Sequence, residues 1–369
     1  AIILGHCHLD HMGAIPYLAP RYKCPIYGSP FTIQVLKNSL GEDKLGVPND
    51  LVAVNPGSGF KISEDISVEF INLTHSTLQT VAVVIKTKYG KIVYANDFKL
   101  DNNPIVGKKP DYESLKSLGN KGDVLALICD SLYAHDESKT PSEKVAREML
   151  TDVLLGIDNH GHAVIVTTFA SHIARLKSIV DIGHQMNRNV VFMGRSMRKY
   201  VEAAETLKLA SFKNRVKILS YRDQIKKELK KIERNRGKYL IVCTGNQGEP
   251  NSTLVRIAIG EYQFKFLSED QVIFSSRTIP AKENIENRAK LETKLKTKKV
   301  RIFKDIHVSG HAAKEDLRDF IDMVKPKIVV PMQGDYQILN NLAILAEEMG
   351  YSRGKNIIIL QDSQVVNLE

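Results

Sequence analysis

Short hydrophobic runs that end in polar residues recur along the first part of the chain. Ala1–Leu4 leads directly into the polar stretch His6–His11, and Val68–Leu73 is followed by His75. Apolar runs of this length predict buried strands. Because binding and catalytic side chains commonly lie where such strands end, these polar residues are candidates for a site.

The pattern changes near Pro141, where short apolar runs begin to alternate with longer segments of helical periodicity. Ala163–Thr168 and Asn189–Met193 read as strands, and the segment between them, Ser171–Met186, reads as a helix. Strands that alternate with helices of this length predict βαβ units and a parallel sheet. The alternation continues to the end of the chain, with a predicted helix at Lys314–Val324.

The composition is that of a globular protein and excludes a disordered chain and a collagen-like fibre. The 369 residues are 43% hydrophobic and 25% charged, close to the globular average, and no apolar run is long enough for a membrane span. Four scattered cysteines without a CxxC pair predict reduced thiols and a cytoplasmic location. The net charge of +10 favours polyanionic partners. Much of it lies in Arg215–Lys238 and Arg288–Lys304, which are either solvated helix faces or phosphate-binding segments.

The strongest chemical signal is the motif His6-x-His8-x-Asp10-His11. Imidazole nitrogens and carboxylate oxygens are ligands that Zn²⁺ accepts, and this spacing brings four of them together on a loop after a strand. Such a loop can serve two cations, with His6 and His8 on one and Asp10 and His11 on the other. A chance polar loop is the alternative.

The motif is the signature of the metallo-β-lactamase fold, and further blocks resemble the β-CASP ribonucleases of that fold, most closely archaeal ribonuclease J. These blocks, in the order of the family, are Thr167–Ser171, Val191–Ser196, Thr244–Pro250, Ser275–Pro280 and His307–His311. The resemblance implies an αββα metallo-β-lactamase sandwich with an inserted α/β β-CASP domain of mainly parallel sheet. It implies a lactamase domain at 1–142, a β-CASP domain at 143–302 and a returning lactamase segment at 303–369.

The resemblance also implies a set of metal ligands. His6, His8 and His75 match ligands of the first metal, Asp10 and His11 match ligands of the second, and Asp97 matches a bridging carboxylate. The implied cofactors are two divalent ions, with zinc expected and Mn²⁺ or Mg²⁺ allowed at the second site.

Further site residues follow from the same resemblance. Asp130 and His311 match an acid and a histidine beside the scissile phosphate, where an imidazolium suits a general acid. Asp10 is grouped with them as a catalytic residue. Ser171, His307 and Ser309 match positions that hold phosphate or the 5′ end of RNA, although the asparagine usual after the serine is His172 here.

Two features depart from the family pattern. The closing Pro-x-His-Gly motif reads Pro331-Met332-Gln333-Gly334, so Gln333 stands where a histidine ligand is expected. A neutral carbonyl oxygen is a poor zinc ligand but suits Mn²⁺ or Mg²⁺. The strands that precede the His6 motif in the family are also missing, which predicts an N-terminally truncated domain with an open sheet edge.

The sequence therefore predicts a metal-dependent ribonuclease that acts 5′ to 3′ on single-stranded RNA. The rival hypotheses are an endonuclease of the cleavage-factor type and a catalytically impaired RNA-binding subunit, the latter suggested by Gln333. A small-molecule hydrolase fits poorly with the large insertion. Single-stranded RNA is the expected partner, membrane binding is not expected, and a homodimer is compatible with the sequence.

Overall fold

The computed structural model of the protein describes residues 1–367. Its strands are β1 (Ile2–Leu4), β2 (Ile26–Gly28), β3 (Leu51–Ala53), β4 (Gly59–Lys61), β5 (Ser67–Asn72), β6 (Val81–Thr87), β7 (Gly90–Ala95), β8 (Val124–Asp130), β9 (Val164–Thr167), β10 (Asn189–Met193), β11 (Val216–Leu219), β12 (Tyr239–Cys243), β13 (Gln271–Phe274), β14 (Arg301–Phe303) and β15 (Ile328–Met332). Its α-helices are α1 (Leu9–Met12), α2 (Ile15–Leu18), α3 (Pro30–Glu42), α4 (Tyr112–Asn120), α5 (Glu143–Leu155), α6 (Ile173–Gln185), α7 (Arg195–Thr206), α8 (Arg222–Arg234), α9 (Thr253–Ala258), α10 (Lys282–Lys296), α11 (Lys314–Val324) and α12 (Tyr336–Glu348).

The chain divides into two compact units, and unit 1 comprises Ala1–Pro141 and Ser309–Glu369. It contains a six-stranded sheet in the order β15-β8-β7-β6-β5-β4 and a three-stranded sheet in the order β1-β2-β3. Helices α4, α11 and α12 pack on one face of the larger sheet through residues such as Leu115, Phe320 and Leu342. Val68 and Phe70 on its other face pack toward Ile3 and Tyr27 of the smaller sheet. Because α3 contacts β2 and β3, the layers of unit 1 run α, β, β, α.

Unit 2, Ser142–Val308, contains a second six-stranded sheet in the order β11-β10-β12-β9-β13-β14. All of its strand pairs are parallel. Every residue of β9, β12 and β13 is buried, because helices cover both faces of parallel sheets of this kind. This burial accounts for the predominantly apolar sequences of the three strands.

Two sequence predictions agree with the structure to the residue. Strand Asn189–Met193 and helix Lys314–Val324 have the predicted bounds. Helix α5 begins directly after Ser142 and ends at Leu155, followed by Gly156 as its C-cap. Within residues 1–367, no helix combines the length and the apolar character needed to cross a bilayer.

The placement of the His6 motif on a loop is wrong for its second half. His6 and His8 lie on a loop after β1, but Asp10 and His11 lie in the short helix α1. His8 has an extended backbone, and its carbonyl accepts hydrogen bonds from the amides of His11 and Met12, both at 3.1 Å. These bonds turn the chain into a helical turn directly after the second histidine.

Candidate metal centre

Three neighbouring parallel strands of unit 1 place acidic and polar residues at one edge of the larger sheet. Strand β8 pairs with β7 and with β15, and Met332 is the register partner of Asp130. Asp97 follows the end of β7 and Gln333 follows the end of β15. The carboxyl ends of these three strands therefore bring Asp97, Asp130 and Gln333 to the same edge.

A group of three histidines and one aspartate converges beside this edge. The ligand-type atoms of His6, His8, His75 and Asp97 all lie within 4.8 Å of one another. His8 Nδ1 is 3.2 Å from His6 Nε2 and 3.1 Å from His75 Nε2. Asp97 Oδ2 is 3.4 Å from His6 Nε2, 3.9 Å from His8 Nδ1 and 3.5 Å from His75 Nε2. Residues distant along the chain thus point their polar atoms at one small volume.

These separations fit a four-coordinate metal. Ligand atoms about 2.0–2.1 Å from a tetrahedral Zn²⁺ are about 3.3 Å apart, close to the spacings of this group. The orientation of His75 fits as well, because its Nδ1 donates a hydrogen bond to the Gly310 carbonyl at 2.7 Å and leaves Nε2 without its proton. Asp97 Oδ1 is buried and makes no hydrogen bond of good geometry. Three imidazoles and a carboxylate are a donor set that suits a divalent cation.

The electrostatics of the group keep the ligands in their metal-binding forms. Burial lowers the pKa of His6 to about 4 and, with the neighbouring His8 and His311, lowers the pKa of His75 well below its ordinary value. Burial opposes ionisation of Asp97, but hydrogen bonds from His11, His6 and His8 outweigh it and hold its pKa well below the usual range. His6 and His75 are therefore neutral beside an anionic Asp97, as metal ligation requires.

A second set of ligand-type atoms lies on the other side of Asp97. His11 Nε2 is 3.3 Å from Asp97 Oδ1 and 3.5 Å from Asp10 Oδ2, and the side chain of Asp10 is 74% exposed. The Asn96 amide lies 2.8 Å from His11 Nδ1 and holds the ring in this orientation. The side-chain oxygen of Gln333 is buried without a hydrogen-bond partner, and its backbone has a positive φ of 72°. This set is richer in oxygen than the first and more open to solvent.

Asp130 and His311 form a hydrogen-bonded pair beside the same carboxylate. His311 Nδ1 is 2.7 Å from Asp130 Oδ2, and His311 Nε2 is 3.9 Å from Asp97 Oδ2. Burial lowers the pKa of His311, but the hydrogen bond and charge of Asp130 outweigh it and raise the pKa overall. The structure therefore brings together two residues that are 181 positions apart in the sequence.

Of the three expected phosphate contacts, two belong to unit 2 and one to unit 1. Ser171 and His307 lie in unit 2, and Ser309, in unit 1, accepts a hydrogen bond from the His311 amide at 3.0 Å. Burial, together with the charge of Arg175, lowers the pKa of His307 to about 2. His307 is therefore neutral, and its buried Nδ1 has no hydrogen-bond partner.

A buried ion pair supports the segments that carry Ser171 and His307. Arg175 is fully buried and forms two hydrogen bonds to the Glu143 carboxylate, at 2.5 and 2.9 Å. It also donates to the Ser275 carbonyl at 3.0 Å and to the Ile306 carbonyl at 3.2 Å. This guanidinium holds three segments of unit 2 in place.

Sequence reasoning missed residues that orient the ligands. Gly310 is one, because a Cβ there would lie 2.9 Å from the His75 ring. Asn96 is another, through its contact with His11. The glycine inside the His307–His311 block and the amide next to Asp97 were visible signals, but their purpose depends on contacts that the sequence does not reveal.

Protein-family profiles match the chain in three successive segments. Residues 1–108 match the beta-lactamase superfamily domain, residues 161–290 the beta-CASP domain of ribonuclease J, and residues 298–360 the Zn-dependent metallo-hydrolase RNA specificity domain. Together with the observed sheets, these matches confirm the predicted fold class. They also indicate use of a divalent metal, in agreement with the cluster of histidines and Asp97.

Comparison with known proteins gives relatives over the full chain. Proteins named ribonuclease J from Methanocaldococcus jannaschii and Pyrococcus abyssi are each 44% identical to it, over all of this chain and over 83% and 81% of their own lengths. A crystal structure of a protein of unknown function from Enterococcus faecalis V583 has a TM-score of 0.64 at 18% identity, covering 98% of this chain and 79% of that one, and shows the shared fold. The chain belongs to the ribonuclease J family.

Proposed function

We propose that this protein is a metal-dependent ribonuclease that hydrolyses phosphodiester bonds of single-stranded RNA in the 5′-to-3′ direction. The observation that carries the proposal is the convergence of His6, His8 and His75 on Asp97, beside the Asp130–His311 pair. The names of the relatives and the match of residues 298–360 to an RNA specificity domain support the substrate class.

The proposed metal content is two divalent ions. His6, His8, His75 and Asp97 hold a zinc ion, and Asp97 also serves the second site with Asp10 and His11. In this proposal Gln333 takes the place of an expected histidine ligand at that second site, so Mn²⁺ or Mg²⁺ is an alternative there. When bound, two such ions supply a water of lowered pKa and neutralise charge on the phosphate oxygens.

The side chains of the protein supply the remaining chemistry. Asp97 offers one oxygen to each set of ligands, and four imidazoles surround its charge. Asp130 favours the protonated form of His311, which then donates a proton to the departing 3′-oxygen of the cleaved RNA. In this proposal Ser171, His307 and Ser309 bind phosphate groups and the 5′ end.

We also propose the domain boundaries 1–142, 143–302 and 303–369, a cytoplasmic location and a homodimer. The compact unit Ser142–Val308 supports an inserted domain, although it extends to Val308 because β14 pairs with β13. The last two residues of the third segment lie outside the described residues.

The proposal is tested with two oligoribonucleotides that differ only at the 5′ end. A 5′-monophosphorylated strand should be shortened nucleotide by nucleotide from that end, and its 5′-hydroxyl twin should react more slowly. Equal internal cutting of both strands would favour the endonuclease hypothesis instead.

One observation favours a second candidate, an RNA-binding subunit without turnover. Gln333 occupies the position of an expected metal ligand. If the protein binds RNA but neither retains metal nor cleaves, and a Gln333→His variant does not restore cleavage, this second candidate replaces the first.

A further inference from the structure

Helix α8 of unit 2 has an apolar face and a basic face. Ile225, Leu229 and Ile232 are buried in the core of the unit. The basic side chains of the helix are Arg222, Lys226, Lys227, Lys230, Lys231 and Arg234, and none of them is buried. The folding of unit 2 therefore uses the apolar face and leaves the cations toward solvent.

The acidic residues of α8 do not neutralise this basic face. Glu228 is buried and forms an ion pair with Lys217 of the edge strand β11. Glu233 accepts a hydrogen bond from the backbone amide of Lys265 at 3.0 Å. Two of the three acids of the helix are thus engaged with other elements.

Four of the cations have no acidic partner. Across residues 1–367, no carboxylate lies within 4.0 Å of the charged groups of Lys226, Lys227, Lys230 or Arg234. Lys226, Lys230 and Arg234 follow one another at i, i+4 spacing, about 6 Å apart along the helix axis. Like charges at this spacing destabilise a helix, so the arrangement is not explained by the stability of α8.

We propose that the exposed basic face of α8 binds the phosphate backbone of single-stranded RNA. The inference rests on the proposed function, which brings a polyanion to this protein, and it adds a contact surface beyond the metal centre. A row of cations with regular spacing suits a chain of phosphates, whose binding to Lys and Arg is electrostatic and independent of sequence. A membrane surface fits less well, because an interfacial helix inserts its apolar face, and that face of α8 is buried.

The test compares RNA binding by two triple variants as a function of salt. The first, Lys226→Gln, Lys227→Gln and Lys230→Gln, removes three unpaired cations of α8. The second carries the same charge change at Lys37, Lys88 and Lys116, which are exposed lysines of unit 1. Both are made in a full-length His8→Ala protein, so that a single-stranded oligoribonucleotide is bound but not cleaved.

We expect the slope of log K against log salt to become shallower by about 2 for the α8 variant, since each phosphate contact to a single strand contributes about 0.7. The affinity deficit of the α8 variant should therefore shrink by roughly 20-fold between 50 and 200 mM salt. The unit 1 variant should keep the slope of its parent. Thermal unfolding of the α8 variant should occur at the same temperature or higher, because repulsion between neighbouring lysines is relieved.

An unchanged slope in the α8 variant, or the same change in both variants, would overturn the proposal and leave the face as a solvated surface. Loss of binding to vesicles of anionic lipid, with RNA binding intact, would also overturn it and identify a membrane partner. The proposed function is tested separately by cleavage with the unmodified protein. Failure of the α8 proposal therefore leaves the ribonuclease proposal standing, and the two failures are told apart because one is measured as RNA binding and the other as cleavage.

Discussion

Gly310 offers a way to disturb the metal centre without removing a ligand. Its carbonyl accepts the hydrogen bond from His75 Nδ1 at 2.7 Å, and a Cβ at this position would lie 2.9 Å from the His75 ring and 3.0 Å from Ser76 Oγ. Ordinary contact distances begin near 3.4 Å, so Gly310→Ala must displace the ring by about 0.5 Å. That is the tolerance within which ligand and catalytic geometry is normally held.

Losing the support of a ligating histidine typically costs 10–100-fold in metal affinity. We therefore expect Gly310→Ala to weaken zinc binding by this factor, about 1.4–2.7 kcal/mol, and to slow RNA cleavage at limiting zinc. Zinc affinity is measured by competition with a chromophoric chelator, and cleavage is measured across a zinc titration.

The matched control is Gly41→Ala in helix α3, where a Cβ meets no atom within 4 Å. It should bind zinc as the wild type does, because α3 contributes no ligand and alanine favours a helix over glycine. If Gly310→Ala binds zinc within twofold of Gly41→Ala, the role assigned to the His75–Gly310 contact is wrong.

Two further predictions concern one residue in each unit, His311 in unit 1 and Glu143 in unit 2. His311→Ala should slow cleavage by roughly 10²–10⁴-fold with metal content unchanged, and loss of metal in this variant would contradict its role as proton donor. Glu143→Gln leaves the buried Arg175 unpaired and should cost about 3–5 kcal/mol in urea unfolding at pH 7. Despite burial, His172 and Arg175 hold the pKa of Glu143 well below its ordinary value. Its contribution is therefore complete above about pH 4.3 and is lost at lower pH, so the gap between variant and wild type should narrow on acidification. A gap that widens would refute this.

The sequence predicted those parts of the fold that depend on local pattern. The apolar residues of Asn189–Met193 were sufficient to predict both ends of that strand. The ends of helix α8 were harder to predict within the basic segment Arg215–Lys238, because its few buried apolar residues lie among many charged ones. The helical turn at Asp10 and His11 was missed because it depends on the backbone of one residue, His8.

The candidate site was predictable in its residue types but not in its contacts. The His6 motif indicated metal chemistry from its residue types and spacing, and the family resemblance added Asp97 as a bridging carboxylate. The contact of His75 with Gly310 joins residues 235 positions apart, and no local pattern encodes it. The buried oxygen of Gln333 depends in the same way on how β15 pairs with β8.

The most direct test of the metal centre is the zinc content of the purified full-length protein, compared between the wild type, His8→Ala and His160→Ala. His160 is an exposed histidine of unit 2 and serves as the control. We expect at least one tightly held zinc per chain in the wild type and in His160→Ala, and a large loss in His8→Ala. Equal zinc content in all three proteins, or none in the wild type after zinc loading, would contradict the convergence of these side chains on a metal.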